Sequence, residues 1–286
     1  MTSLSFLFGT VGSPKSTPKK PGGSVGGVLH SADLGLNCLE LGWVRSVRIS
    51  EKTCALIKTT AEEVGVAISV HAPYYINLNA DEQEWPKSRK RLMDAAHFGN
   101  LAGATDIIFH PGSYFQQPPE AVLPTAIKRL ENCLEELRSA DNPVTLRPET
   151  MGKSAMLGSL TDTIKMNQEL NGVKPCLDVA HLHARAGDGS VNSYDEWAQV
   201  LEDYGNALGD SALKDLHIHI SGIEYGDKGE KEHLPLEESD LDFQAIFRAL
   251  NDFKCQGRIL CESPILEEDA LKCKNTWCEI SQENCD

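Results

Sequence analysis

Imidazole and carboxylate side chains stand at the ends of successive apolar runs in this chain. His71 closes VAISVH, His110 closes DIIFH, and Glu149 follows PVTLRP. Asp178 and His181 lie in CLDVAH, His217 and His219 in LHIHI, His233 in EKEH, and Glu262 in ILCES. Histidine nitrogens combined with carboxylate oxygens suit Zn2+, with Mn2+ or Fe2+ next, whereas Mg2+ favours a nearly all-oxygen shell. The set His71, His110, Glu149, Asp178, His181, His217, His233 and Glu262 exceeds what one tetrahedral ion can use, so two or three ions per chain are expected. Ions held about 3.5–4 Å apart clamp the attacking and leaving oxygens of an in-line phosphoryl displacement. The chemistry indicated is metal-assisted hydrolysis, with a phosphate ester as the first substrate class.

Residues a hundred positions apart can meet only if the chain brings strand ends to one face. Eight short strands are expected, at 4–9, 37–42, 66–71, 106–110, 143–149, 173–178, 215–220 and 258–262. Helical periodicity separates them at 51–64, 86–103, 120–139, 193–208, 241–253 and 267–281, and more weakly at 25–35 and 156–170. In 86–103, Leu92, Ala95, Ala96, Gly99 and Ala102 form one stripe while Lys87, Arg89 and Lys90 lie off it. Buried strands alternating with helices give a parallel sheet. At this length the expectation is one (β/α)8 TIM barrel over 1–286, its site at the carboxyl ends of the strands. The segment 9–24, GTVGSPKSTPKKPGGS, is expected to be a mobile loop on that face.

The bulk numbers narrow the function classes. The chain has 286 residues, 41% hydrophobic, and a formal net charge of −15, which argues against a generally basic nucleic-acid-binding surface. Bound cations would cancel part of that charge, and a local basic patch remains compatible with it. There is no apolar run of about 18 residues and no signal-peptide pattern, so a cytoplasmic protein without membrane association is expected. Nine cysteines, odd in number and never in CxxC spacing, read as reduced thiols rather than a disulfide framework. The trio Cys273, Cys278 and Cys285 is the exception left open.

Taken in order, HAPY, HPG, PET, LDVAH, HIHISG, EKEH and CES resemble the endonuclease IV family of apurinic/apyrimidinic endonucleases, from about residue 66 to 265. The resemblance implies a TIM barrel with a trinuclear zinc site, hydrolysing the phosphodiester 5′ to an abasic site in DNA during repair. It implies that His71 and His110 hold the first zinc and that Glu149 bridges to the second. Asp178, His217 and Glu262 would complete the second site, with His181 and His233 on the third. Glu149 and Glu262 are the carboxylates closest to the chemistry, and Tyr74 resembles a residue inserted into damaged DNA. Two departures stand out. The family's third-ion carboxylate falls on Lys231, leaving Glu230, Glu232 or Asp227 as substitutes, and the first strand has no histidine.

Plainer readings apply elsewhere. His30, His97 and His183 are off the strand-end register and read as ordinary polar residues. His219 points the same way as His217, because strand side chains alternate with period two, and only the resemblance favours His217. Lys15, Lys19, Lys20, Arg45 and Arg48 form either a phosphate-tracking patch or a solvated loop. Trp43 either stacks on bases or packs over the barrel mouth, and KSRKR at 87–91 is a solvated helix face. The competing function is a sugar isomerase or epimerase using one or two ions, with Mn2+ or Mg2+ and a Glu149–Glu262 pair. A metal-binding barrel without activity is the third reading.

Overall fold

A computed structural model describes residues 5–284 of the chain. Eight parallel strands form its centre: β1 (Phe6–Val11), β2 (Cys38–Gly42), β3 (Ala67–His71), β4 (Ala104–Phe109), β5 (Thr145–Pro148), β6 (Leu177–Asp178), β7 (Leu216–Ile220) and β10 (Gly257–Cys261). They neighbour one another in the order β5-β4-β3-β2-β1-β10-β7-β6. The two ends meet through parallel bridges from Leu146 to Val173 and from Glu149 to Cys176. There the Cys176 N–H donates to the Pro148 carbonyl at 3.0 Å, and the Thr150 N–H to the Cys176 carbonyl at 3.0 Å. Pro175, which has no N–H, interrupts the ladder just before β6 and keeps that strand short. The architecture is a (β/α)8 TIM barrel, as the alternation of apolar runs requires.

Gly9 permits the close approach of β1 to β2: a Cβ there would lie 1.9 Å from the Cys38 carbonyl oxygen. The surrounding helices are α1 (Gly23–Asp33), α2 (Glu51–Val64), α3 (Trp85–Leu101), α4 (Pro119–Ser139), α5 (Leu160–Glu169), α7 (Tyr194–Leu208), α8 (Phe243–Asp252) and α9 (Glu267–Ser281). The small-residue stripe of α3 faces the sheet, with Leu92, Ala95, Ala96 and Ala102 fully buried. Among the described residues, no helix is long and apolar enough to cross a membrane.

Three local features go beyond or against the sequence reading. A short helix, α6 (Val179–Ala184), begins at once after β6, where the Asp178 carboxylate caps it by accepting the His181 N–H at 2.6 Å. The segment after β7 is a hairpin, β8 (Gly222–Gly226) and β9 (Gly229–Leu234), rather than an irregular loop. The lysine-rich loop after β1 is anchored: Glu267 accepts the N–H groups of Lys15 and Ser16 at 2.8 and 2.7 Å. Seven cysteines are buried free thiols, as expected; Cys278 is disulfide-bonded, and Cys285 lies outside the described residues.

At the floor of the barrel, Arg147 is 2% exposed and donates to the carboxylates of Asp106 and Asp215 and to the Pro175 carbonyl. This guanidinium, with Arg258 nearby, holds the Asp106 carboxyl well below the usual range despite its burial. Breaking a buried pair from one side typically costs ~3–5 kcal/mol. Arg147→Met is expected near the lower end, because Arg258 Nη2 remains 3.4 Å from Asp106. Denaturant titration should show the loss, and Asp106→Leu added to it should recover part. A stability equal to the parent's would show that the pair is dispensable.

Candidate metal centre

Each strand of the barrel ends within reach of one point above its axis, and Glu149, immediately after β5, occupies it. Its carboxylate has no solvent exposure. Oε2 lies 3.2 Å from His71 Nε2 and 3.4 Å from His110 Nε2, at the ends of β3 and β4. Oε1 lies 3.2 Å from His181 Nδ1 and 3.6 Å from His219 Nδ1. Burial alone would raise the Glu149 carboxyl, but His110 and the hydrogen bonds from its imidazole neighbours hold it well below the usual carboxylate range. His219 Nδ1 is also 3.1 Å from Glu262 Oε1, whose other oxygen is 3.7 Å from His233 Nε2.

The ring orientations are set from behind. His71 Nδ1 donates to the Ala72 carbonyl at 2.9 Å and His181 Nδ1 to the Thr150 carbonyl at 2.9 Å, while His233 Nδ1 is bonded to the Ser221 hydroxyl. A backbone carbonyl can only accept, so Nδ1 of His71 and His181 keeps its proton, and Nε2 is the nitrogen that carries the lone pair once the ring is neutral. Burial would lower both imidazoles, but the carboxylates against them win: Glu149 holds His71 up at about 9, and Asp178 with Glu149 holds His181 at about 10. Burial pushes Asp178 up to about 7.

Four buried polar atoms facing this cluster have no hydrogen-bond partner among the described residues: Glu149 Oε1, Asp178 Oδ2, His219 Nδ1 and Glu230 Oε2. Three sets of ligand atoms here lie within 4.8 Å of one another: His71 with His219 and Glu262, His71 with His110 and Glu149, and Glu149 with Asp178, His219 and Glu262. Orphaned donors of mixed nitrogen and oxygen type fit divalent cations, which would satisfy them together.

Seven of the eight expected ligands gather at this mouth; His217 does not. Residues two apart on a strand differ by about 6.6 Å in height. His219 reaches the strand-end layer, and His217 lies below it with Nε2 2.9 Å from Glu40 Oε2. His219, not His217, is thus the one at the mouth, while His217 joins Cys176 and His219 in a deeper group of possible ligand atoms within 4.8 Å of one another. Glu40 itself is buried in β2 and was missed, although a lone acid inside the apolar run CLELG is a visible signal.

The hairpin resolves the Lys231 departure. Glu224 pairs with Glu232 and Tyr225 with Glu230, so Lys231 is the extra residue of a β-bulge, and its ammonium pairs outward with Glu224 at 2.7 Å. The bulge turns both Glu230 and His233 inward. Glu230 Oε2 lies 3.6 Å from His181 Nε2, and the His181 and His233 rings are 5.3 Å apart. Gly152 makes room for this: a Cβ there would lie 2.3 Å from Glu230 Oε2. Of the three substitutes, Glu230 is the carboxylate that faces His181.

At the rim, the Tyr74 ring stacks on His110 at 4.9 Å and 28°, and Tyr74 and Tyr75 are 48% and 67% exposed. Lys19, Lys20 and Arg45 are exposed on the loops after β1 and β2. Trp43 is half-buried and packs against the core. His183 bonds to Asp240 and the Ser190 carbonyl, in keeping with its plain reading.

Comparison with known proteins gives two kinds of relative. A family model described as a xylose isomerase-like TIM barrel matches residues 28–275. An uncharacterised protein of Methanocaldococcus jannaschii is 38% identical over 95% of this chain and 98% of its own. A probable endonuclease 4 of Staphylococcus carnosus is 31% identical, but over only 58% of this chain and 56% of its own. Endonuclease IV of Thermus thermophilus superposes with a TM-score of 0.70 at 22% identity, over 96% of this chain and 100% of that one. A D-tagatose 3-epimerase-like protein superposes with 0.67 at 18%, over 86% and 90%.

The raised imidazoles have a sign that can be measured. His71 and His181 bind protons more tightly folded (about 9 and about 10) than unfolded (about 6.5), so their stabilisation is complete below pH 6.5 and is lost as pH rises through the folded values. Asp178, raised to about 7, acts in the same direction up to that pH. The melting temperature of chelator-treated protein should therefore fall from pH 7 to 9. Saturating divalent metal should reverse the slope, because ligands must shed their protons to bind. A flat or rising profile for the chelated protein would refute this charge arrangement.

Proposed function

Since the chain belongs to the xylose isomerase-like TIM barrel family, we propose that it is an endonuclease IV-like phosphodiesterase that hydrolyses DNA 5′ to abasic sites with two or three Zn2+ ions. The observation that carries this reading is the number of donors around one mouth. His71, His110, Glu149, Asp178, His181, His219, Glu230, His233 and Glu262 exceed what a one-ion or two-ion isomerase employs. The match to curated relatives named as probable endonucleases 4 supports it, although that match spans about half of their length.

Bound divalent ions would supply Lewis acidity toward a phosphoryl oxygen and lower the pKa of water. The chain's residues supply the rest. Glu149 stays ionised within its imidazoles and would offer its carboxylate to the ions. Glu262, 13% exposed beside Glu149 at 0%, is placed to accept a proton from incoming water. Tyr74 offers a ring at the rim to stack on or wedge beside a nucleotide, and Lys19, Lys20 and Arg45 would track phosphates.

A second reading has one specific observation behind it. Glu149, Asp178, His219 and Glu262 by themselves form a four-donor set for a single ion, such as Mn2+ or Mg2+. A sugar epimerase with Glu149 and Glu262 as its proton-transfer pair would need no more. The two readings part on stoichiometry and substrate. Elemental analysis should find two or three zinc ions per chain, and a duplex with one abasic site should be cut on its 5′ side. One ion without incision, with epimerisation of a ketose, would select the second reading.

Two variants extend the test. Glu149→Gln should lose metal and at least ~100-fold in incision rate, the loss expected when a group that anchors the catalytic ions is removed. Lys19→Ala with Lys20→Ala should weaken binding of abasic duplex and flatten its log–log salt dependence by roughly 1 to 2, at about 0.9 per phosphate contact. An unchanged slope would remove that loop from the DNA-binding surface.

A further inference from the structure

Glu40 takes no part in the donor set above, yet it is fully buried one layer beneath it, in the middle of β2. Taking a carboxylate out of water costs several kcal/mol even after the protein relaxes around it. An aliphatic side chain would fill this layer of the barrel at less cost. Its contacts show what the charge is positioned to do. Oε2 accepts the Ser69 hydroxyl at 2.7 Å and lies 2.9 Å from His217 Nε2. Oε1 lies 3.0 Å from His219 Nε2. That last contact is close but off the line of a good hydrogen bond, and neither atom has another hydrogen-bond partner among the described residues.

Where a carboxylate holds the proton on one nitrogen of an imidazole, a cation binds by displacing the proton from the other nitrogen. In His219 that other nitrogen is Nδ1, the atom 3.1 Å from Glu262 and 3.6 Å from Glu149. His71 and His181 have their tautomers fixed by backbone carbonyls, and His233 is bonded to a hydroxyl. His219, the ring shared by two of the donor sets at the mouth, has its rear nitrogen against a carboxylate. A carboxylate raises the basicity of a ligating imidazole more than a neutral acceptor does. Ser69 and His217 hold Glu40 in place from the other side.

We propose that Glu40 is the positioning residue of the metal centre, fixing His219 as its Nε2–H tautomer so that Nδ1 is committed to the ion shared with Glu149, Asp178 and Glu262. This rests on the metal-centre reading of the site. It assigns a purpose to the lone acid of the second strand and explains why the deeper His217 accompanies it.

The test is Glu40→Gln, which keeps the shape and removes the charge. Zn2+ affinity, measured by competition with a chromophoric chelator, should fall ~10–100-fold, the usual effect of losing such a partner. The visible absorption of the Co2+-substituted protein should shift, while the melting temperature of the chelator-treated protein stays within a few degrees of the parent's. Unchanged affinity and an unchanged Co2+ spectrum would overturn the role of Glu40 and leave the metal reading intact. So would a fall in metal-free stability with the Co2+ spectrum preserved, the mark of a structural residue. A parent chain that takes up no divalent ion would overturn both. If Glu40→Gln does not fold, Glu40→Asp serves instead: its charge is withdrawn by one methylene, and it should show a smaller loss of affinity with the same spectral change. Parent-like values there would overturn the assignment.

Discussion

The Glu149 carboxylate, without contact to water, is faced by His71 and His110 on one oxygen and by His181 and His219 on the other. A buried charge is tolerated only where opposite charge or hydrogen-bond donors meet it on every side. Four imidazoles from four different segments meet this one, so it fixes where β3, β4, α6 and β7 must end relative to β5. The same electrostatics keep His71, His181 and His219 basic. A metal-free centre therefore holds protons where ions would bind, and the two compete for the same lone pairs.

Asymmetry between the ends of the barrel follows from that constraint. At the floor, Arg147 donates to both Asp106 and Asp215 and to the Pro175 carbonyl, so the buried charges there are paired. At the mouth, the charges are left incompletely paired: Glu149 Oε1, Asp178 Oδ2, His219 Nδ1 and Glu230 Oε2 have no hydrogen-bond partner among the described residues. Closed networks stabilise a fold. Open ones, placed where strand ends converge, are where a barrel binds and reacts. Glu40 sits between the two regimes, satisfied within its own layer by Ser69 and His217 and turned toward His219.

Local backbone devices carry as much of the site as the side chains do. One extra residue in β9 moves Lys231 out of the centre and brings Glu230 in, and Gly152 leaves the space that Glu230 fills. The exchange keeps a carboxylate beside His181 although the one-dimensional spacing had lost it. In the same way Asp178 serves twice, capping α6 with one oxygen and turning the other toward His181.

The order of apolar runs and helical stripes determined the barrel, because burial of one face per element leaves few other ways to pack eight strands and their helices. The convergence of seven of the eight expected residues was legible for the same reason: a polar residue at the end of a buried strand has one place to go, the open mouth. Three things were decided only in three dimensions. Height along β7, not alternation, separates His219 from His217, and height depends on where the neighbouring strands end. The bulge that substitutes Glu230 for Lys231 depends on cross-strand register, which spacing within one strand does not encode. The place of Glu40 depends on which buried groups face it across the barrel, from strands far away in the chain. Sequence fixes which side of a strand a residue occupies, but partners across the barrel are set by packing, and it is those partners that decide which buried charge can be satisfied.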